Sequence, residues 1–215
     1  MKILFQGDSI TDAFRKPEEI NQAFQLGNGY VFLLAAQLAA EYPALPWQFL
    51  NRGISGHGVQ ALRKRWEPDA LALAPDLLSL LIGVNDTIYF QRGESTLGDA
   101  AFADHYRWLI DTMRQANPAL KMVLMEPFLL PVGDVLPAWI AHLHNRQVFI
   151  RKYAEEVGAV FIPLQTIFTD ACRRAPAAYW AFDGIHPTHA GFHLMAEAWR
   201  KAASPLLNLP PTARA

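Results

Sequence analysis

The chain has 215 residues, 52% of them hydrophobic and 18% charged, with a formal net charge of −1. The length suits a single domain, and the apolar share excludes a disordered chain. The near-neutral balance lacks the basic excess of a nucleic-acid binder, so no nucleic-acid partner is expected.

The first apolar run, Lys2–Gly7, reads as a buried strand. Four more follow at 47–53, 77–83, 121–127 and 159–164. Each is apolar on both faces, the pattern of parallel strands covered by helices. Between them lie helical stripes. Phe102, Tyr106, Leu109, Ile110 and Met113 mark one over 100–117, and Ile140, Leu143, Ile150, Tyr153, Ala154 and Val157 mark another over 137–158. A last stripe carries Phe192, Met195, Ala196 and Trp199. Arg63, Lys64 and Arg65 read as a solvated helix face. Strands alternating with helices predict a three-layer α/β/α, flavodoxin-like fold with a five-stranded parallel sheet. One domain is expected over 1–205, with a Pro-containing tail over 206–215 that frays. There is no run of about 18 uncharged apolar residues for a membrane span, no signal peptide, and one cysteine, Cys172. A soluble cytoplasmic protein without a membrane partner is the expectation.

In such sheets ligands bind beyond the carboxyl ends of the strands, which singles out four segments. Gly7-Asp8-Ser9 follows the first strand and sets Ser9 near a helix N-terminus, where a developing anion is favoured; an ordinary turn with Ser9 as helix cap is the alternative. The loop 51–58 follows the second and holds Gly53, Gly56 and Gly58, whose backbone N–H groups are uncrowded. Asn85, after the third, is a neutral donor to a negative oxygen or a simple turn former. Asp183-Gly184-Ile185-His186-Pro187 follows the fifth, and its spacing lets the carboxylate meet its own imidazole. Together these supply a nucleophile, a base, an orienter and anion donors, the requirements of acyl transfer from a small-molecule ester.

The blocks Gly7-Asp8-Ser9, Gly56, Asn85 and Asp183-x-x-His186 resemble, in order, those of the SGNH (GDSL) hydrolases. The resemblance implies Ser9 as nucleophile, His186 as general base and Asp183 as its partner. It also implies an oxyanion hole from Ser9, Gly56 and Asn85. Gly29-Tyr30-Val31, Gly53-Ile54-Ser55-Gly56, Arg65-Trp66, Pro127-Phe128 and His186-Pro187 make the chain similar to intracellular acetylxylan esterases of that family. Those enzymes deacetylate short xylan fragments and form homo-oligomers, which is the implied partner. They carry tryptophan before the catalytic aspartate, where this chain has Phe182.

Asp8, His57, Tyr89, Phe128 and Phe182 are the candidate substrate contacts, the loops 87–98 and 128–136 being the expected walls. Lipases, arylesterases and acyl thioesterases of the same family are alternatives, because aromatics suit acyl chains as well as sugars. No cofactor and no metal are expected. His189 and His193 stand at helical zinc spacing, but no Glu follows His189 and Gly191 weakens the helix between them. The Gly-x-Ser-x-Gly signature of α/β-hydrolases is absent. The non-enzyme alternative is a receiver or cofactor-carrying module. A receiver would use Asp8 and Asp12 for magnesium and Asp86 as phosphoacceptor, and would leave the Asp183–His186 spacing without a use.

Overall fold

The apolar runs form strands because a parallel ladder pairs their backbones while helices cover both faces of the sheet. A computed structural model describes residues 1–210. Its strands are β1 (Lys2–Gly7), β2 (Gln48–Asn51), β3 (Leu77–Leu81), β4 (Lys121–Met125) and β5 (Val160–Ile162). They pair in the order β2-β1-β3-β4-β5, all parallel, as expected of the flavodoxin-like arrangement. β3 is fully buried, whereas the edge strands β2 and β5 are partly exposed.

Side chains alternate across the sheet, so β1 feeds two cores. Ile3 and Phe5 pack with Tyr30, Leu34 and Leu38 of the Tyr30–Glu41 helix and with Met195 and Trp199 of the His189–Ala203 helix. Leu4 packs on the other face with Val59, Leu62, Phe102, Tyr106 and Leu109, and with Ile150 and Tyr153 from the second half of the Pro137–Val157 helix. The fully buried Trp199 donates its indole N–H to Ser79 Oγ at 3.0 Å, tying the last helix to the central strand β3.

Four strands end earlier than their apolar runs suggest, and β5 runs almost directly into the Leu164–Ala171 helix. At Gly83 the chain turns with φ 127°, a conformation that favours glycine. Leu207 is 2% exposed and Lys121 Nζ donates to Leu206 O, so packing continues past the point where fraying was expected. Residues 211–215 of that expected tail lie outside the described residues. Among the described residues no helix is long and apolar enough to cross a membrane.

Candidate active site

The connection out of β1 runs to β2 on one side, and the chain then returns to β3 on the other. The crevice between β1 and β3 is therefore the topological switch point, where such sheets bind ligands. Gly7 closes β1 there. A Cβ on it would come 2.5 Å from Leu81 O, so only glycine permits this approach to β3. Asp8 then caps the short Ser9–Asp12 helix, its Oδ1 accepting from the N–H of Ile10 at 3.0 Å. Ser9 is left half-buried at the helix start.

From the far end of the chain, a loop closed by an Ala181–Pro187 bridge brings in the imidazole. Ser9 Oγ lies 2.8 Å from His186 Nε2, and His186 Nδ1 lies 2.6 Å from Asp183 Oδ2. The other carboxylate oxygen, Oδ1, accepts from the N–H groups of Ile185 at 2.9 Å and His186 at 2.7 Å. Burial works to raise the Asp183 pKa. The hydrogen bonds from His186 and Ile185 outweigh it and hold the carboxyl below its usual range. The result is an anion fixed on Nδ1, with Nε2 free to take a proton from Ser9.

The candidate oxyanion donors are the N–H groups of Ser9 and Gly56 and the side-chain amide of Asn85. Gly56 adopts φ 79°, open to glycine without strain, and neither its N–H nor that of Ser9 donates to a protein acceptor among the described residues. The Val84–Gln91 helix secures the Gly56 loop three times. Tyr89 OH donates to Gly56 O at 3.0 Å, Asn85 Nδ2 donates to His57 O at 3.0 Å, and Asp86 accepts from Val59 N–H at 3.0 Å. An amide nitrogen carries two hydrogens, so Asn85 keeps a second N–H for an oxyanion.

Beneath this surface lie two buried carboxyls. Burial, opposed by the Ile10 N–H and reinforced by the charge of Asp86, raises Asp8 to about 7. Asp8 Oδ2 is buried without a hydrogen-bond partner, as suits a neutral acid. Burial also raises Asp86 to about 6, against the pull of Val59 N–H and Arg146. A phosphoacceptor must face solvent, and Asp86 is 4% exposed, which removes the basis of the receiver alternative.

A cavity of about 330 Å³ opens beside Ser9 and His186, walled by Asp12, Ala13, Phe14, Ser55, Phe182 and Phe192 among others. Of the candidate substrate contacts, Phe182 lines it. Tyr89 lines a neighbouring cleft with Gly56, and His57 lines neither. Two expectations are corrected. Asp8 is fully buried and serves as a helix cap. Phe128 is fully buried too, stacked on Phe168 at 4.0 Å, so it belongs to the core rather than to a substrate wall. Arg65 also departs from the solvated face expected of it. It is half-buried, donating from Nε to His57 Nδ1 at 3.2 Å and from Nη1 to Asp69 at 3.0 Å. Its bond leaves His57 Nδ1 as an acceptor, and burial followed by the Arg65 charge lowers the pKa of that ring, keeping it neutral. His189 and His193 are exposed, and among the described residues no cluster of His, Cys, Asp and Glu could hold a metal ion.

The model of the GDSL-like lipase/acylhydrolase family matches residues 5–194. An acetylxylan esterase from Geobacillus stearothermophilus is 33% identical over 202 residues, covering 92% of this chain and 91% of its own. Its crystal structure superposes with a TM-score of 0.81 at 31% identity, over 94% of this chain and 93% of that one. A GDSL-like lipase from Parabacteroides merdae superposes with a TM-score of 0.90 at 39% identity, over 94% and 95% of the two chains. Solved catalytic mutants of the Geobacillus esterase replace a serine, an aspartate or a histidine by alanine, the last two spaced as Asp183 and His186 are.

Proposed function

Since the chain belongs to the GDSL-like lipase/acylhydrolase family and is a carboxylic ester hydrolase, we propose that it deacetylates small acetylated carbohydrates such as xylo-oligosaccharides. The observation that carries the chemistry is the unbroken chain Ser9–His186–Asp183, at 2.8 and 2.6 Å, opening on a cavity. Ser9 Oγ attacks the ester carbonyl as His186 Nε2 takes its proton, and Asp183 stabilises the imidazolium. The carbonyl oxygen becomes an oxyanion held by the N–H groups of Ser9 and Gly56 and by the Asn85 amide. Collapse breaks the carbon–oxygen bond to the alcohol, which leaves with the proton from His186. A water, deprotonated by the same imidazole, then attacks the acyl-serine and releases the acid.

The acetyl preference is supported by the cavity, which lies at the small end of ligand pockets, and by similarity to a Geobacillus acetyl-xylooligosaccharide esterase. The test pairs acetate release from acetylated xylo-oligosaccharides with a series of nitrophenyl esters from C2 to C12. Turnover falling steeply beyond C4 is expected. A preference for C8 or longer would overturn the acetyl assignment and leave the esterase chemistry standing. Replacing Ser9 by Ala should abolish both activities, by about 10⁴-fold or more.

A further inference from the structure

Directly after the Ser9–Asp12 helix, Ala13 and Phe14 take consecutive left-handed conformations, with φ 44° and 60°. Side chains with a Cβ are strained in this region, and bulky ones most of all. The turn is over-determined by its surroundings. Ala13 N–H donates to Ser9 O at 2.9 Å, Asn28 N–H donates to Ala13 O at 2.8 Å, and Arg15 N–H donates to Asp12 O at 3.0 Å. Arg15 Nε reaches Gly53 O at 2.7 Å, pinning the turn to the loop after β2.

Ala13 gains burial from this arrangement and Phe14 gains none. Ala13 is 5% exposed and Phe14 is 88% exposed. The fold therefore holds an aromatic ring in a strained position without packing it against the protein. That ring lines the cavity of Ser9 and His186. The other exposed aromatic in the same wall is Phe182, whose ring lies 5.9 Å from that of His186 and nearly parallel to it. A pyranose has an apolar C–H face and a polar rim, so exposed aromatic rings suit it. A flexible acyl chain gains more from an enclosed channel.

We infer that Phe14 is a specificity-determining residue, its ring forming with Phe182 the platform for a cyclic sugar alcohol whose ester carbonyl sits at Ser9. The inference rests on the ester-hydrolase reading of the Ser9 site. It predicts a role in binding and none in bond-making, so the reaction of an ester with a minimal alcohol should not need Phe14.

The experiment compares wild type with Phe14→Ala, Phe14→Gly and Phe14→Trp on vinyl acetate and on acetylated xylobiose. For acetylated xylobiose, Phe14→Ala should raise KM about five- to tenfold with kcat nearly unchanged, and Phe14→Trp should restore KM. On vinyl acetate the variants should match wild type. Phe14→Gly should melt above Phe14→Ala, because glycine tolerates the positive φ, yet show the same raised KM. An unmoved KM in Phe14→Ala, with wild type active, overturns the inference alone. So does an equal loss on both esters accompanied by a lower native mass, which would mean that a second copy of the chain covers Phe14. Wild type inert on both esters would overturn the esterase chemistry and the inference together.

Discussion

Asn85 carries a prediction that separates chemistry from packing. Its amide holds His57 O with one hydrogen, and the proposed mechanism uses the other for the reacting oxygen. Asn85→Ala should lower kcat by about 10²–10³ while the chain still folds; turnover near that of wild type would remove Asn85 from the oxyanion hole. Asp183→Asn replaces an anion held below the usual carboxylate range by a neutral amide. A loss of about 10³–10⁴ in kcat is expected, measured on any ester the wild type accepts. The pKa shifts of Asp183 and Asp8 have opposite signs. Asp183 has a depressed folded pKa, so its contribution to stability is present above the ordinary carboxylate pKa and is lost as pH falls through the folded one. Asp8 has a raised one, so the folded state keeps a proton that the unfolded chain releases. Stability should fall as pH rises from the ordinary carboxylate range through about 7. Urea denaturation at about pH 5 and about pH 8 should show that loss in wild type and a smaller one in Asp8→Asn. Equal losses would place the proton elsewhere.

At the scale of elements, the Val84–Gln91 helix acts as a clamp on the loop that presents Gly56. Tyr89→Phe deletes one of its three holds. A lost hydrogen bond of this kind is worth about 1 kcal/mol, so kcat should fall several-fold while KM stays put. Trp199 is the corresponding anchor for the last helix. Trp199→Ala should cost about 3–5 kcal/mol in chemical denaturation, since it opens a cavity and strands Ser79. The strands and the Asp183–His186 loop were legible in the chain because apolar runs and a three-residue spacing are local signals. Phe128 was misread for want of a non-local one. An aromatic after a strand looks like a cavity wall until the Leu164–Ala171 helix sets Phe168 on top of it. Arg65 sits in a run of basic residues, and nothing in that run marks its contacts with Asp69 and His57. Phe14 was hidden for a further reason: a left-handed backbone at a residue with a Cβ leaves no compositional trace.

For the whole molecule, the decisive geometry is the contact between Ser9 and His186, which are 177 positions apart. In the proposed mechanism the nucleophile Ser9 and the oxyanion donors Gly56 and Asn85 all lie before residue 86, while the base His186 and its partner Asp183 share one short loop after β5. A break in the exposed turn around Gly93 would thus divide the machinery between two polypeptides, each inert alone. Coexpressed halves should regain ester turnover only as the sheet reassembles, with β4 docking against β3 across the break. Turnover by the first half alone would refute this division of labour. The same geometry makes activity a self-test of synthesis. A nascent chain stalled anywhere short of His186 has a serine but no base, so hydrolysis begins only after the Asp183–His186 loop has been made and folded onto Ser9.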